Sequence, residues 1–253
     1  MSNSEYDKNV KVKAIFKAAR KSAFRTYREL YYGKTSFWHV LKAELLTTLL
    51  GPMPGAAGIF LRSKFFPGLF GACGRKLFIG RNVTFRHPKK IRLGNSIIID
   101  DNCVIDAKGE DNDGILIDDN VFIGRNTIIY CKNGNIHLKS GVNLSSNCTV
   151  FSSNKITIED NTMVGAYSYM LSGGEYDYTN PEIKFAEQSG MKSKGELVIG
   201  SNCWIGARVT ILDAACIGEH CVIGAGAVVT KKIPQDSLAL GIPARTIRSL
   251  PKS

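Results

Sequence analysis

A six-residue spacing of aliphatic residues constrains this chain more than any other feature of its sequence. Between residues 197 and 229 an aliphatic residue falls at every sixth position, glycine follows four of the six, and a small residue stands four positions after each of the first five. A repeat of this length predicts a parallel β-helix, in which each unit forms one short strand and a tight turn. Three units complete a triangular coil, and the coils are stable only when stacked. The six aliphatic residues are Ile199, Ile205, Ile211, Ile217, Ile223 and Val229.

The position three residues after each repeat aliphatic supports the same prediction. Asparagine, glycine and histidine recur there, and asparagine and glycine are the residues that best tolerate a positive φ. We therefore expect a left-handed turn at each corner of the coil. The residues at this position are Asn82, Asn102, Asn120, Asn126, Gly141, Asn147, Asn161, Asn202, His220 and Gly226.

The repeat extends well upstream of residue 197 and is interrupted once. Regular triplets of aliphatic residues run from Leu93 to Met170, and residues 107–114 form a polar excursion that we expect to be a corner loop without chemistry. The repeat stops after Met170 and resumes at Ile199, so residues 171–196 form an inserted loop. A long loop that interrupts a regular solenoid is a candidate functional segment. We expect one β-helix domain over residues 71–250.

Residues 1–70 have a different character and predict an α-helical extension. Residues 8–32 combine helically spaced apolar residues with many Lys and Arg side chains, which predicts a basic amphipathic helix. Residues 36–50 predict a second helix that Ser36 caps and that Gly51 and Pro52 end. The segment 51–71 is rich in Gly, Pro and Phe and carries Arg62 and Lys64 as flanking cations, which suits a membrane interface. Packing on the β-helix or on a neighbouring subunit is the alternative for these segments.

The charge is distributed very unevenly along the chain. Residues 1–92 contain 19 Lys/Arg and 4 Asp/Glu, whereas residues 93–253 contain 14 and 18, within a formal net charge of +11. An anionic membrane surface is the partner that this basic third favours, since no nucleic-acid-binding motif accompanies the charge. No apolar run is long enough to span a bilayer, and the charged N-terminus does not resemble a signal peptide. We therefore expect a cytoplasmic protein, with a peripheral position on the inner face of the cell membrane.

The seven cysteines are expected to be reduced thiols that fill the interior. Four of them take the small-residue position of the repeat, and the chain has no C-x-x-C pair. Buried thiols that act as small hydrophobic side chains therefore explain them better than disulfides or a thiolate zinc site. These four are Cys103, Cys148, Cys203 and Cys221.

The segments WIGARVTIL (204–212), VIGAGAVVTKKIP (222–234) and GIPARTIR (241–248) resemble the hexapeptide-repeat acyltransferases, above all the sugar O-acetyltransferases and the xenobiotic acetyltransferases. This resemblance covers about residues 77–250. It implies a left-handed β-helix, a homotrimer with three active sites between neighbouring subunits, and acetyl-CoA as donor. It also implies a pantetheine groove and cations that face the phosphates of CoA. The residues that match these positions are Trp204, Gly206, Ala207, Arg208, Ala225 and Ala227 for the groove and Lys231 and Arg245 for the phosphates.

The inserted loop departs from the family pattern, because it contains no histidine. In similar enzymes a loop histidine removes the proton from the acceptor hydroxyl, as a general base does. Glu175, Tyr176 and Asp177 stand at the corresponding positions. A carboxylate there could act as base if desolvation raised its pKa, or it could simply be solvated or bind the acceptor. Tyr176 fits sugar stacking or hydrogen bonding better than proton transfer.

Histidines outside the loop are the other candidate bases. His87 lies in the basic loop before Pro88, where a surface role is the simplest explanation, and His137 lies between two aliphatic residues and so points outward from the β-helix. His220 occupies a turn position, and His39 lies in the helical extension. These scattered histidines do not suggest a three-histidine zinc site, so we expect no metal.

These observations predict an enzyme that acetylates a hydroxyl of a sugar in a cell-surface polysaccharide or its lipid-linked precursor. N-acetylation of an amino sugar or a small molecule is the nearest alternative, because an amine needs less help from a base. A trimeric β-helix that binds ligands without catalysis is the alternative from another class. The three motifs argue against that alternative, since a scaffold has no need of them together.

Overall fold

The computed structural model describes residues 23–174, 176–180, 182–185, 188 and 192–251. Parallel strands form three sheets, which are the three faces of a β-solenoid of about eight coils. Three α-helices precede the first coil in this part of the chain. The predicted fold class, a β-helix with an N-terminal helical extension, is confirmed. The left-handed winding, which the family resemblance implies, stays a prediction.

The helices α1, α2 and α3 span Ala23–Tyr31, Phe37–Leu50 and Gly55–Phe65, and short 3-10 helices span Phe66–Leu69 and Pro88–Lys90. Helix α2 confirms the prediction for residues 36–50. Ser36 caps its N-terminus by accepting a hydrogen bond from the His39 backbone N–H at 3.2 Å, and Gly51 is its C-cap. Of the basic helix predicted over residues 8–32, the part before Ala23 lies outside the described residues.

The strands are two to six residues long, and each complete coil gives one parallel strand to each sheet. The last two strands of sheet 2 form an antiparallel hairpin. Sheet 1 contains β1 Ala72–Cys73, β4 Ile91–Leu93, β7 Ile115–Ile117, β10 Asn135–Leu138, β13 Lys155–Ile158, β16 Leu197–Ile199 and β19 Cys216–Ile217. Sheet 2 contains β2 Phe78–Ile79, β5 Ile98–Ile99, β8 Phe122–Ile123, β11 Asn143–Leu144, β14 Met163–Val164, β17 Trp204–Ile205, β20 Val222–Ile223, β22 Ser237–Gly241 and β23 Ala244–Ser249. Sheet 3 contains β3 Thr84–Arg86, β6 Val104–Asp106, β9 Ile128–Cys131, β12 Thr149–Ser152, β15 Tyr169–Ser172, β18 Thr210–Ile211 and β21 Val228–Val229.

The interior of the solenoid is the stack of repeat aliphatic residues. Each aliphatic residue pairs in register with its counterpart in the next coil, and each is at most 2% exposed in sheet 2. The spacing of six residues thus confirms the predicted core, because alternate residues of a strand point inward. In sheet 2 the stack runs through Ile79, Ile99, Ile123, Leu144, Val164, Ile205, Ile223 and Ala239.

All ten predicted corner residues have a positive φ, between +52° and +73°, so the predicted left-handed corners are confirmed.

The four interior cysteines are confirmed as buried thiols. Each thiol lies within hydrogen-bond range of a backbone carbonyl in the following coil, as Cys103 Sγ does at 3.2 Å from the oxygen of Gly124. Burial raises the pKa of the Cys103 thiol to about 11, so this thiol stays protonated in the folded protein.

Arg62 has a different role from the one that its sequence context suggests. Its side chain is 1% exposed, and its guanidinium donates to the carbonyl oxygens of Ile79, Leu50 and Met53 at 2.9, 2.8 and 2.7 Å. Arg62 therefore ties the turn between α2 and α3 to sheet 2 and is not available to an anionic surface. Desolvation lowers its pKa from the ordinary arginine value, and the three carbonyl acceptors keep the buried cation hydrogen-bonded.

No helix in the described part of the chain is both long and apolar enough to cross a membrane.

The interior stack generates a stability prediction. Ile123→Ala should lower the free energy of unfolding by about 2–5 kcal/mol, because the cavity lies between two further coils that cannot collapse onto it. Ile128→Ala is the control, since Ile128 is 39% exposed on sheet 3, and it should change that free energy by about 0.5 kcal/mol or less. Equilibrium unfolding in urea measures both. Equal effects of the two variants would contradict the described interior.

Candidate functional site

The inserted loop is fixed at both ends by one aspartate that the sequence did not single out. Asp213 lies in the coil that follows the loop, and its carboxylate accepts hydrogen bonds from the backbone N–H of Gly173 and of Lys194, both at 2.5 Å. It also accepts from the Ser193 hydroxyl at 2.8 Å. Because charged acceptors form the stronger hydrogen bonds, Asp213 holds the exit and the return of the loop together.

Asp177, the candidate base of the loop that the structure describes, does not have the raised pKa that a general base needs. Glu175 lies outside the described residues. Asp177 Oδ1 accepts hydrogen bonds from the Thr179 hydroxyl and backbone N–H at 2.6 and 2.9 Å, and Asp177 Oδ2 lies 3.4 Å from Lys192 Nζ. The Thr179 hydrogen bonds, with Lys192, lower the pKa of Asp177 below its ordinary value. This is the opposite of the desolvation shift that catalysis by Asp177 would require. Tyr176 is 39% exposed, with its ring 6.3 Å from that of Phe185.

Three of the histidines each face an aspartate of a neighbouring coil. The two side chains meet because residues about one coil apart in sequence are stacked in the solenoid, a spacing that could have been read from the sequence. These pairs join His87 Nδ1 to Asp106 Oδ1 at 3.0 Å, His137 Nε2 to Asp118 Oδ2 at 2.8 Å, and His220 Nδ1 to Asp236 Oδ1 at 2.9 Å.

His87 is not the surface histidine that its loop position suggested. It is 4% exposed, because α1 and its following turn cover it. Its Nδ1 faces Asp106, and its Nε2 lies 3.4 Å from the carbonyl oxygen of Glu29. Because one ring nitrogen faces Asp106 in β6 and the other faces Glu29 in α1, His87 joins the helical extension to the first coils.

His137 points outward from β10, as predicted, and lines a cleft on sheet 1. The cleft has a volume of about 240 Å³, and Arg92, Asp113, Asn135 and Lys155 also line it. His137 is partly exposed, and Asp118 holds one of its ring nitrogens. The cleft thus combines an oriented imidazole with cations, a carboxylate and an amide, which are groups that can bind a polar acceptor.

The cleft and the inserted loop adjoin each other. Lys155 Nζ, at the edge of the cleft, lies 2.9 Å from Glu196 Oε1, and Glu196 is the last residue of the loop. The Thr157 hydroxyl donates to the same carboxylate at 2.6 Å. Asn154, the residue before Lys155, donates a hydrogen bond from Nδ2 to the Ser193 hydroxyl at 3.0 Å. The loop therefore returns to the solenoid beside the cleft that contains His137.

The residues expected to form the pantetheine groove lie elsewhere on the solenoid. Trp204 is 62% exposed on the outer face of sheet 2, and Ala207 and Ala225 are exposed at the corner between sheets 2 and 3. Gly206 has a structural reason to be glycine, since a Cβ there would come within 2.6 Å of the Ala225 backbone nitrogen. Ala227 is 1% exposed and faces the interior, so its side chain cannot line a groove.

The two expected phosphate-binding cations are both exposed. Lys231 follows β21, at the corner where the chain passes from sheet 3 towards sheet 1, and Arg245 lies on β23 in the C-terminal hairpin of sheet 2. The Arg245 guanidinium donates to the carbonyl oxygen of Ala244 at 3.1 Å. Neither cation has a carboxylate partner among the ion pairs of the described residues.

At the corner between sheets 2 and 3, two residues occupy a backbone conformation that their side chains disfavour. The left-handed position between sheets 2 and 3 holds asparagine in four successive coils, and then Tyr167 and Arg208, at φ +61° and +58°. The Arg208 guanidinium carbon lies 5.7 Å from the centre of the Tyr167 ring, and both side chains project from the solenoid. Strained residues of this kind cluster at ligand sites, so the pair supports a functional role for Arg208 and adds Tyr167. Their departure from the asparagine pattern was visible in the sequence.

The candidate residues therefore form two groups on one chain. The first contains the inserted loop and the His137 cleft, at sheet 1 and the corner between sheets 3 and 1. The second contains Trp204, Arg208 and Tyr167, at sheet 2 and the corner between sheets 2 and 3. The two corners lie on opposite sides of sheet 3. The width of this sheet, taken from the four residues of β15, is about 13 Å. Among the described residues, no cluster of three His, Cys, Asp or Glu side chains could hold a metal ion.

Comparison with known proteins places Trp204 and Arg208 of the second group within a repeat found in transferases. Residues 197–231 match the family described as "Bacterial transferase hexapeptide (six repeats)". The Staphylococcus aureus (strain Mu50 / ATCC 700699) protein named "Putative acetyltransferase SAV2555" is 39% identical over 116 residues, which are 46% of this chain and 56% of that protein. The chain thus spans little more than half the length of this relative.

Two further proteins extend the comparison. Galactoside O-acetyltransferase of Escherichia coli (strain K12) is 27% identical over 168 residues, which cover 64% of this chain and 80% of that enzyme. A mutant of AntD, an N-acyltransferase from Bacillus cereus solved with dTDP-4-amino-4,6-dideoxyglucose and coenzyme A, superposes with a TM-score of 0.50 at 19% identity. That alignment covers 72% of this chain and 85% of AntD, and it shows a shared fold. The resemblance to hexapeptide-repeat acyltransferases, inferred from the motifs, is confirmed.

The strained pair predicts a conflict between stability and binding. Tyr167→Asn should raise the free energy of unfolding by about 0.5–1 kcal/mol, because relief of the left-handed strain, about 1–2 kcal/mol, exceeds the loss of an exposed cation–π contact. The same variant should bind coenzyme A more weakly. Asn147→Tyr is the matched control one coil earlier, and it should lower the free energy of unfolding by about 1–2 kcal/mol. Urea unfolding measures the stability changes, and calorimetric titration measures the binding of coenzyme A. A destabilised Tyr167→Asn protein would refute the claim that Tyr167 is strained.

Proposed function

We propose that this protein transfers an acetyl group from acetyl-CoA to a hydroxyl group of a sugar. The observation that carries the proposal is the corner formed by Trp204, Arg208 and Tyr167. It combines an exposed indole with two side chains held in a disfavoured conformation, and Trp204 and Arg208 lie within the residues that match the hexapeptide transferases. The name of the galactoside O-acetyltransferase relative supports a sugar acceptor.

The donor would lie along this corner. The exposed ring of Trp204 and the small side chains of Ala207 and Ala225 suit a slim pantetheine arm, which needs an apolar contact and little obstruction. Arg208 and Arg245 would supply cations for the phosphates of CoA, which charge-assisted hydrogen bonds would fix in place. Lys231, at the corner between sheets 3 and 1, would have to reach the phosphates across the two-residue strand β21. Because Ala227 faces the interior, its place in the groove is limited to the backbone.

The acceptor would lie in the cleft on sheet 1, with His137 as general base. The His137 imidazole would take the proton of the sugar hydroxyl, the hydroxyl oxygen would attack the thioester carbonyl, and the thiolate of CoA would leave and be protonated. Backbone N–H groups of the corner turns would stabilise the tetrahedral oxyanion. Asp118 is placed to orient the ring and stabilise the imidazolium. Glu175 and Asp177 are the alternative bases, although the lowered pKa of Asp177 disfavours it.

A homotrimer would bring the two groups of residues together. The outward row of sheet 2 is apolar except at Asn143, with side chains 43–62% exposed at Phe78, Ile98, Met163 and Trp204, and a neighbouring copy would cover part of it. The cleft of one subunit would then face the donor corner of the next, as the resemblance to hexapeptide-repeat acyltransferases implies. Each site would need two chains.

The acceptor we propose is a polysaccharide or its lipid-linked precursor, which the enzyme would meet in the cytoplasm at the inner face of the membrane. The uneven charge of the chain supports this location, since the first third is strongly basic. N-acetylation of an amino sugar is the second candidate function. The observation that favours it is the absence of histidine from residues 171–196, because an amine nucleophile needs less help from a base.

The experiment measures free thiol released from acetyl-CoA with a panel of sugars, amino sugars and lipid-linked oligosaccharides. His137→Asn should lower kcat by about 10²–10⁴-fold and leave the Kd of coenzyme A unchanged, because only proton transfer is lost. His220→Asn is the matched control, since it breaks a similar histidine–aspartate pair at the C-terminal end. Trp204→Ala should instead raise the Kd of coenzyme A.

Each other outcome has a defined meaning. Full turnover in His137→Asn, with loss of turnover in Glu175→Gln or Asp177→Asn, would move the base to the loop. Release that only amino sugars stimulate would establish N-acetylation. Binding of coenzyme A without release by any acceptor would contradict the transferase and favour the non-catalytic binding module.

A further inference from the structure

Helix α2 presents an apolar stripe that no part of the described chain covers. Trp38, Leu41, Leu45 and Leu49 follow one another at intervals of three or four residues, so they lie on one face of the helix. Their exposed fractions range from 47% to 74%. The other face holds the buried residues of the helix, which pack on the remaining extension and the first coils.

Neighbouring aromatic residues enlarge this stripe. Phe37 is 51% exposed, and its ring lies 5.8 Å from that of Trp38 and 5.8 Å from that of Phe24. Phe60 and Phe65, on the adjoining helix α3, are 63% and 44% exposed. Single exposed apolar side chains are ordinary, but a contiguous group of this kind marks an interaction surface.

The segment that carries the stripe, residues 23–92, is strongly cationic. Residues 23–92 contain 13 Lys/Arg and 2 Asp/Glu. Both acids already have partners, since Glu29 pairs with Arg25 at 3.1 Å and Glu44 accepts hydrogen bonds from the hydroxyls of Tyr27 and Tyr32. Three exposed lysines are near the stripe in sequence: Lys34 before α2, Lys42 within it, and Lys64 in α3.

Charge distinguishes between two surfaces outside the chain that could cover the stripe. A second copy of the chain would bring two bodies of like charge together, and this costs free energy. A lipid surface with anionic headgroups instead offers hydrocarbon to the stripe and phosphates to the lysines. Helices with an apolar face, bordering cations and an interfacial tryptophan lie in the plane of such a surface.

We infer that α2 lies flat in an anionic phospholipid surface, with Trp38, Leu41, Leu45 and Leu49 below the headgroups. Phe60 of α3 would enter the same surface. Arg62 holds the α2–α3 turn rigidly on sheet 2, so the solenoid would keep a fixed orientation relative to the lipid. The inference specifies the membrane contact within the proposed function, and it does not depend on acyl transfer.

The test is co-sedimentation of the full-length protein with vesicles of phosphatidylcholine alone and of phosphatidylcholine and phosphatidylglycerol in about equal parts. The parent protein should bind the anionic vesicles at least about tenfold more tightly. The double variant Leu45→Gln/Leu49→Gln should lose about tenfold or more of that binding, because it removes apolar insertion and leaves the charge unchanged. The double variant Ile128→Gln/Ile247→Gln, at exposed apolar positions on the solenoid, should bind as the parent does.

Tryptophan fluorescence distinguishes insertion from adsorption. In a Trp204→Phe background Trp38 is the remaining tryptophan, and phospholipids brominated on their acyl chains should quench its emission. Vesicle binding that the stripe variant retains, without quenching of Trp38, would show adsorption by charge and overturn the inference. A change in oligomeric state of the stripe variant, without loss of vesicle binding, would assign the stripe to a contact between copies and also overturn it.

A failed transferase proposal would look different. Turnover with a water-soluble sugar acceptor, measured on the same variants, reports acyl transfer independently of lipid binding. Loss of vesicle binding with unchanged turnover would support the inference, and vesicle binding by the parent without any turnover would refute only the transferase.

Discussion

The stacking of coils around a common aliphatic interior is the constraint on which the rest of this structure depends. Each coil can stack only if every corner turns sharply enough to return the chain to the same register. The left-handed conformation at the corners makes that turn, and asparagine or glycine provides it at least cost. Once the interior and the corners are fixed, the outward residues of each strand are free to vary. They line up in rows along the three faces, and these rows include the candidate residues His137 and Trp204.

Stacking also explains how distant residues of the sequence form polar pairs. A side chain on the outside of the solenoid faces side chains about one coil away in sequence, which places His87, His137 and His220 each beside an aspartate. The same arrangement has different consequences in different surroundings. The His87 pair is buried and joins the helical extension to the coils, whereas the His137 pair opens into a cleft. Asp213 applies the same principle to the inserted loop, whose two ends it binds from the next coil.

Much of the fold could be predicted because the repeat is periodic and local. The spacing of six residues identified the interior residues and the left-handed corners, and Ser36 and Gly51 identified the ends of α2. The errors came from contacts between coils or between the extension and the solenoid. Arg62 was expected to face a membrane, but it binds three carbonyl oxygens that only the folded chain brings together. His87 was expected at the surface, but α1 covers it. Tyr167 could have been found from the sequence, as a bulky residue in a position otherwise occupied by asparagine.

We propose that each active site combines the donor corner of one chain with the acceptor cleft of its neighbour, because the two lie on separate parts of one chain. Co-expression of Trp204→Ala and His137→Asn chains with different affinity tags, followed by purification on both tags, gives mixed assemblies that test this claim directly. In a mixed trimer about one site in three would combine an intact donor corner with an intact cleft from the neighbouring chain. With acetyl-CoA held well below the raised Kd of Trp204→Ala, thiol release should run at roughly a third of the parent rate, well above that of either variant alone. Mixed assemblies no more active than the two variants would contradict it, because the site would then lie within a single chain.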